Sequence, residues 1–147
     1  MMQNKAGKRD KFIKKSRIGM AEALKSRDML LGYVAKSIDG MDEAIHLLTE
    51  KLEDIYSIYF PEFRLEDKRK YAEFVLAFDR KKPDAKALEI MVGQGKSADL
   101  LGKAKTTLGA DLNDEDMKML RSFANRVVEA HKLRDEYMEY QEKFAEE

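Results

Sequence analysis

The sequence predicts an all-α fold: a long antiparallel helical hairpin, a coiled coil, with a small helical cap or insert at its tip. Three observations carry this reading. Among 147 residues there are 2 Pro, 8 Gly and no Trp, while Glu, Lys, Leu, Ala and Met abound, a mixture that favours long helices over sheets. Apolar residues recur at alternating steps of three and four along two long stretches, the heptad signature of a coiled-coil seam. A helix of about forty residues is about 60 Å long, whereas a compact domain of this size is about 38 Å across, so the first stretch cannot lie inside a globule.

The chain opens on a charged stretch. Residues 1–19 carry Lys5, Lys8, Arg9, Lys11, Lys14, Lys15 and Arg17 against Asp10 alone, with Phe12 as their one aromatic residue. They read as a basic, disordered tail ahead of a coiled-coil domain over 20–147. The first long helix of that domain covers 20–60. Its seam is Leu31, Val34, Ile38, Met41, Ile45, Leu48, Leu52, Ile55 and Tyr59, and followed backwards it meets Arg27, Leu24 and Met20. Only Arg27 breaks it. Gly32 and Gly40 each weaken the local helix by roughly 1 kcal/mol relative to alanine, a loss that tertiary packing must offset.

Pro61 ends this helix and Pro83 interrupts the middle of the chain, because each restrains the residue before it from helical geometry. Between them Leu65–Phe78 reads as a short amphipathic helix with Leu65, Tyr71, Phe74, Val75 and Phe78 as its apolar face. Asp84–Val92 reads as a second, and Gly93–Gly109 as looser chain with helical pieces. Residues 61–112 together form the insert. The last long helix spans 113–146. Asn113 is a good N-cap, and Asp114, Glu115 and Asp116 suit the positive end of the helix dipole. Its seam runs Leu120, Phe123, Val127, Ala130, Leu133, Tyr137, Tyr140 and Phe144, with one local overwinding expected near Ala130 where two steps of three adjoin. An unpaired seam would cost roughly 1.5–3 kcal/mol for each large side chain left in water, so the two long helices should pair.

The net charge is zero, with 28 basic and 28 acidic residues, and names no partner. Its distribution is uneven. Residues 20–63 have four basic and nine acidic groups, residues 64–110 eleven and seven, and residues 111–147 six and eleven. Such a layout suits two arrangements: basic parts on RNA with acidic stems held clear, or basic parts of one copy against acidic stems of another. The absence of Cys excludes disulfides and thiolate metal sites and suits a reducing compartment. No apolar run reaches membrane-spanning length and the basic N-terminus lacks the apolar core of a signal peptide, so the reading is a soluble intracellular protein with no membrane partner.

The chemical motifs fail on inspection. Gly93-Gln94-Gly95-Lys96-Ser97 resembles a phosphate loop, but Ile90 stands where the earlier glycine is needed and the preceding residues read as helix. His46 and His131 lack metal-ligand spacing and sit beside seam positions. No Ser-His-Asp arrangement is supported. The expectation is a non-enzyme with no catalytic residues, metal, cofactor or small-molecule substrate. One enzymatic alternative rests on Lys36–Lys51, which resembles the first helix of the all-helical chorismate mutases. It would use Arg27, Lys36 and Lys51 on a dicarboxylate, but the later helices offer no matching basic positions.

Three stretches together point elsewhere. KLEDIYSIYFPEF over Lys51–Phe63 resembles the RLREWYxxHFPEL signature of the Nop family of box C/D ribonucleoprotein core proteins. SIDGMDEAIHLL over Ser37–Leu48 is similar to the stretch that precedes it in that family. TLGADLNDED over Thr107–Asp116 is similar to the family's SMGADLSEED motif, and Phe123–Tyr140 continues in the same style with Arg134 and Tyr140. The likeness covers residues 24 to 145 in the family's order, and its FPE and GAD segments are its most specific parts. Asp54 and Ile55 stand where the family has Glu-Trp, and Tyr59 stands in place of His.

The resemblance implies the coiled-coil domain of scaffold proteins that join fibrillarin, a guide RNA and a kink-turn-binding protein for RNA 2′-O-methylation, with a spliceosomal relative of the same architecture. In the family a fibrillarin-binding domain precedes this region and the Nop domain follows it. The chain is therefore expected to be a domain piece or a trimmed relative, and neither fibrillarin binding nor Nop-domain RNA contact carries over. The expected partners are a second copy or a full-length Nop-family protein, met through the seam flanks and the turn Tyr59, Phe60, Pro61, Glu62 and Phe63. RNA is a further candidate partner through Lys8, Arg9, Lys11, Lys14, Lys15 and Arg17. The resemblance implies a cytoplasmic protein if the chain is of archaeal type, and a nucleolar or nuclear one if it is eukaryotic.

Overall fold

The computed structural model describes residues 2–145, with side chains over 7–144. The helices are α1 Met2–Tyr59, α2 Lys68–Ala77, α3 Ala85–Val92, α4 Gln94–Lys105 and α5 Asp114–Ala145, and no strand occurs among the described residues. α1 and α5 pack antiparallel. Arg27 lies against Phe144 at one end, Asp42 pairs with Arg134 further along, and Tyr59 and Leu120 share a core at the other end. At 1.5 Å per residue the 58 residues of α1 measure about 87 Å and the 32 residues of α5 about 48 Å. The hairpin is thus lopsided, and its long arm overhangs.

That overhang is the first correction to the sequence reading. Residues 2–19 are not a disordered tail but the start of α1. Lys, Arg, Ala and Met are good helix formers, and the first residue able to stop the helix by removing an N–H is Pro61. Every residue from 7 to 30 is exposed. The Lys5 side chain, Met1, Glu146 and Glu147 lie outside the described residues.

Local chemistry sets the other boundaries. α2 starts at Lys68 because the Asp67 carboxylate accepts the Arg69 and Lys70 N–H groups, each at 3.1 Å. Asp84 caps α3 in the same way. The looser chain expected over Gly93–Gly109 proves to contain a twelve-residue helix, α4, joined to α3 through one residue. Gly93 has φ +88°, a conformation that costs glycine little; its N–H donates to the Glu89 carbonyl and its own carbonyl accepts the Ser97 N–H. Asn113 and Asp116 cap α5 reciprocally, Asn113 Oδ1 accepting the Asp116 N–H at 2.7 Å and the Asp116 carboxylate accepting the Asn113 N–H at 3.3 Å.

The seam of α5 also differs from the expected one. Met117, Leu120, Ala124 and Val127 are buried, and the same row continues through half-buried His131, Arg134, Met138 and Gln141. These positions alternate steps of three and four without a break, so there is no overwinding at Ala130. The bulkiest apolar residues of α5 cross from this row onto a neighbouring one, and hydrophobicity alone follows them. Leu133, placed in the seam by that reading, is 43% exposed.

Candidate functional site

The specific motifs converge at the hairpin tip. Tyr56, Tyr59, Phe60, Phe63, Tyr71, Phe74 and Phe78 form one buried aromatic cluster, in which Phe63 and Phe74 stack with centroids 3.8 Å apart and Phe74 and Phe78 at 4.6 Å. Burial pushes the Tyr56 phenol well above its ordinary pKa, reinforced by Tyr59 and Tyr71, and its hydroxyl has no protein partner. Pro61 turns the chain so that Phe60 and Phe63 both face inward, while Glu62 points to the GAD segment. The Glu62 carboxylate accepts the Thr107 hydroxyl at 2.6 Å and the Leu108 N–H at 2.7 Å. Partial desolvation opposes its ionisation, but these two donors, with Arg80 nearby, hold its pKa below the ordinary value.

Arg80 locks the other side of the same junction. Its guanidinium lies 4.0 Å from the Tyr59 ring centroid and donates to the Tyr59, Gly109 and Ala110 carbonyls at 2.5, 3.2 and 3.1 Å. It also meets the Asp111 carboxylate at 2.6 Å. Ala110 N–H donates to the Ile58 carbonyl, so the GAD strand of chain closes the exposed end of α1. Gly109 has to be glycine: a Cβ there would run into the Tyr59 carbonyl. In the sequence Arg80 is only one more of the basic residues of the insert. No periodicity marks it, and the available signal was indirect. A glycine turn laid across a helix C-terminus leaves several carbonyls that a fork of N–H groups can satisfy.

Along the stem, α2 covers one side of the hairpin. Lys68 pairs with Glu53 of α1 at 2.9 Å, and Arg69 pairs with Asp135 of α5. With 3.6 residues per turn, Met41, Leu48 and Ile55 stand on the flank of α1 away from Glu53, and Phe123, Ala130 and Tyr137 on the flank of α5 away from Asp135. Since the helices are antiparallel, these two flanks lie on the same side. Leu30, Met119 and Leu133 border it, exposed by 46%, 61% and 43%. α3 and α4 pack with each other and, through α3, with α2, and they leave this side bare.

The expected site residues therefore fall into three groups. Val34, Ile38, Ile45, Leu52, Tyr59, Leu120 and Val127 are buried, whereas Leu31, Met41, Leu48, Ile55, Phe123, Tyr137 and Tyr140 are half-buried. At the turn, Tyr59, Phe60 and Phe63 belong to the internal core and cannot meet a second copy, Glu62 is half-buried in the clamp, and Pro61 is exposed. Lys8, Arg9, Lys11, Lys14, Lys15 and Arg17 are exposed on the overhang. Arg27, the one break in the α1 seam, lies over the Phe144 ring at 3.9 Å. Lys36 and Lys51 follow it by nine and twenty-four residues on one helix, about 13 and 36 Å away, so the basic trio of the enzymatic alternative does not converge. An open groove between the end of α1 and Arg64–Tyr71 mixes Glu53, Asp54 and Asp67 with Lys68, Lys70 and Lys96. No cluster of His, Asp or Glu able to hold a metal ion occurs among the described residues, and no helix among them is long and apolar enough to cross a membrane.

A helical hairpin whose tip is closed by FPE and GAD segments clamped to each other defines a coiled-coil module of the kind those two segments imply. Residues 37–146 match the Nop family, described as "snoRNA binding domain, fibrillarin". The chain is 30% identical over 124 residues to an uncharacterised NOP5 family protein of Methanocaldococcus jannaschii, covering 82% of this chain and 30% of that protein. It is 32% identical over 113 residues to nucleolar protein 56 of Caenorhabditis elegans, covering 70% of this chain and 23% of that protein. The chain belongs to the Nop family, and it spans less than a third of the length of these curated relatives.

Proposed function

We propose that this chain is a non-catalytic assembly arm of a box C/D-type ribonucleoprotein scaffold, and that it works by pairing its bare hairpin face with a second copy. The observation that carries this is the lengthwise apolar strip opposite α2, bounded by Leu30, Leu48 and Ile55 on α1 and by Phe123, Leu133 and Tyr137 on α5. Apolar surface of this extent on a thin rod is stabilised by burial, and antiparallel helices on both sides suit closure into a four-helix bundle. A full-length Nop-family protein offers the same kind of face and is the alternative occupant. The tip supports the reading in another way: its clamp makes the rod stiff at the end where the chain reverses.

Sedimentation equilibrium tests this. The wild-type chain should self-associate, and Leu133→Lys should be monomeric with an unchanged helical circular dichroism spectrum, because Leu133 contributes little to its own hairpin. A wild-type chain that stays monomeric at every concentration, alone and mixed with a full-length Nop-family protein, overturns the proposal. The family's snoRNA-binding description and the exposed Lys8, Lys11 and Lys15 support a second reading, in which the arm also lies against RNA. Retention of guide-type RNA that weakens steeply with salt would carry it. Either reading fits a nucleolar setting in a eukaryote or the cytoplasm of an archaeon.

A further inference from the structure

The overhang of α1 has two faces with different chemistry. Its helix runs well past the Arg27–Phe144 contact, and every residue over 7–26 is exposed. This length lies before the Nop match, which starts at Ser37. Isolated helices of this length are marginal in water, and Gly7 and Gly19 make this one weaker still. Its persistence as helix calls for a packing partner, and none of α2 to α5 reaches it. Ile13, Met20 and Leu24 continue the heptad line of the seam, exposed by 41%, 67% and 66%. Arg17 stands in that line between Ile13 and Met20 and Arg9 one turn before Ile13, while Lys8, Lys11 and Lys15 occupy the opposite side of the helix.

We infer that the overhang of one copy docks its Ile13–Leu24 stripe on the acid-bordered bare face of α5 in a second copy. The inference rests on the dimer reading above and narrows it: over the second half of α5 the bare face is covered by the overhang of the second copy and not by that copy's own bare face. Glu129 and Glu136 stand one helical turn from Leu133 and border the bare strip of α5. With Asp135 and Arg134 engaged across the stem by Arg69 and Asp42, α5 over 129–144 is left with Glu129, Glu136, Glu139 and Glu142 against Lys132 and Lys143. This acidic balance is opposite in sign to that of the overhang, although Glu129 also meets Arg126 of its own helix at 3.2 Å. Two overhangs laid on each other would oppose Arg9, Lys14 and Arg17 with their own copies, and two α5 ends would oppose carboxylates. The exchange pairing alone matches apolar stripe to apolar strip and cation to anion, and it closes with two-fold symmetry. The lysine side of the overhang plays no part in it and stays in solvent.

The experiment is a charge swap in the full chain, followed by sedimentation equilibrium on nuclease-treated protein. Arg9→Glu/Arg17→Glu and, separately, Glu129→Lys/Glu136→Lys should each weaken self-association by about tenfold or more at low salt, and an equimolar mixture of the two variants should recover wild-type affinity as a heterodimer. Recovery also shows that the reversed overhang still folds. If both variants self-associate like the wild type while Leu133→Lys is monomeric, the overhang inference is overturned and the bare-face dimer stands. Loss of RNA retention in Arg9→Glu/Arg17→Glu, with dimerisation unchanged, assigns the overhang to RNA and overturns it as well. A monomeric wild type removes both readings together.

Discussion

The two ends of the α1–α5 hairpin are held by different physics. At the tip, Leu52, Tyr56, Phe60, Phe74, Leu120 and Val127 are all but fully buried, α2 closes one side, and Arg80 and Glu62 satisfy the turn's polar groups. At the open end the seam passes through His131, Arg134, Met138 and Gln141, all half-exposed, and the contacts are an ion pair, a guanidinium on a ring and short apolar stems. Apolar burial is worth about 25 cal/mol per Å², while exposed ion pairs contribute about 0–1 kcal/mol, so stability is concentrated at the tip. The tip carries the buried core; the stem leaves one flank half-covered. Amides near Met138 should accordingly exchange with solvent faster than those near Ala124.

The largest test of this contrast is at the tip. Phe74 is fully buried and stacked on both Phe63 and Phe78. Phe74→Ala should cost about 3–5 kcal/mol in urea unfolding, by lost transfer energy plus the cavity left behind. Arg80→Ala should cost about 2–3 kcal/mol, because the buried Tyr59 carbonyl and the part-buried Gly109 and Ala110 carbonyls lose their donor. Arg80→Lys should recover little of this, since an ammonium cannot span the Tyr59, Gly109 and Ala110 oxygens with a planar fork. If either alanine variant unfolds within about 1 kcal/mol of the wild type, stability is not concentrated at the tip as argued.

A smaller effect separates the ends by pH. Burial lowers the His131 pKa below its ordinary value of 6.5, and Arg69 and Arg134 lower it further, while Asp135 and Asp67 partly raise it again. Its Nε2 is buried without a protein partner. The unfolded chain therefore binds the proton more readily than the folded one. His131 in its neutral form is fully compatible with the hairpin above pH 6.5, and stability falls as pH drops through 6.5 towards the lower folded value. The loss should appear in unfolding curves between neutral and mildly acidic pH, and His131→Gln should flatten it. An identical pH slope in that variant would show that the open end does not sense the proton through His131.

The contrast also explains what could be read from the amino-acid order. α1 was legible from Leu31 to Tyr59 because Val34, Ile38, Ile45, Leu52 and Tyr59 are buried in the seam, with Met41, Leu48 and Ile55 on its flank. Tyr56 is buried outside the expected row. α5 was legible only to Val127. Beyond it the seam is His131, Arg134, Met138 and Gln141, while the big apolar residues Leu133, Tyr137 and Tyr140 lie toward the bare strip, so hydrophobicity pointed to the outer row. The FPE and GAD segments were recognisable as words, but their meeting was not. It depends on Glu62 reaching Thr107 and Leu108 and on Arg80 spanning three carbonyls, contacts across 21 to 46 residues of chain that no spacing encodes. The overhang was misread because a basic run without apolar density looks like a tail, although nothing in it stops a helix.

The smallest effect is expected where the hairpin looks most specifically paired. Arg134 Nε meets the Asp42 carboxylate across the stem, and Arg134 also approaches Asp135 at 3.9 Å. Both partners stay substantially solvated, with side chains exposed by 32% and 48%. Water already satisfies much of each charge, and two long or flexible groups must be ordered to hold the pair. Asp42→Ala and Arg134→Ala should each change stability by less than about 1 kcal/mol, and a double-mutant cycle should return a coupling of the same small size that shrinks with salt. The same pair could matter more once the bare face is covered, because a partner would exclude water from the stem. Measuring the cycle below and above the dimerisation midpoint therefore separates the two roles. Coupling that grows on association marks Asp42–Arg134 as part of a completed bundle; coupling that is large in the monomer would mean that the open end is held more firmly than its exposure implies.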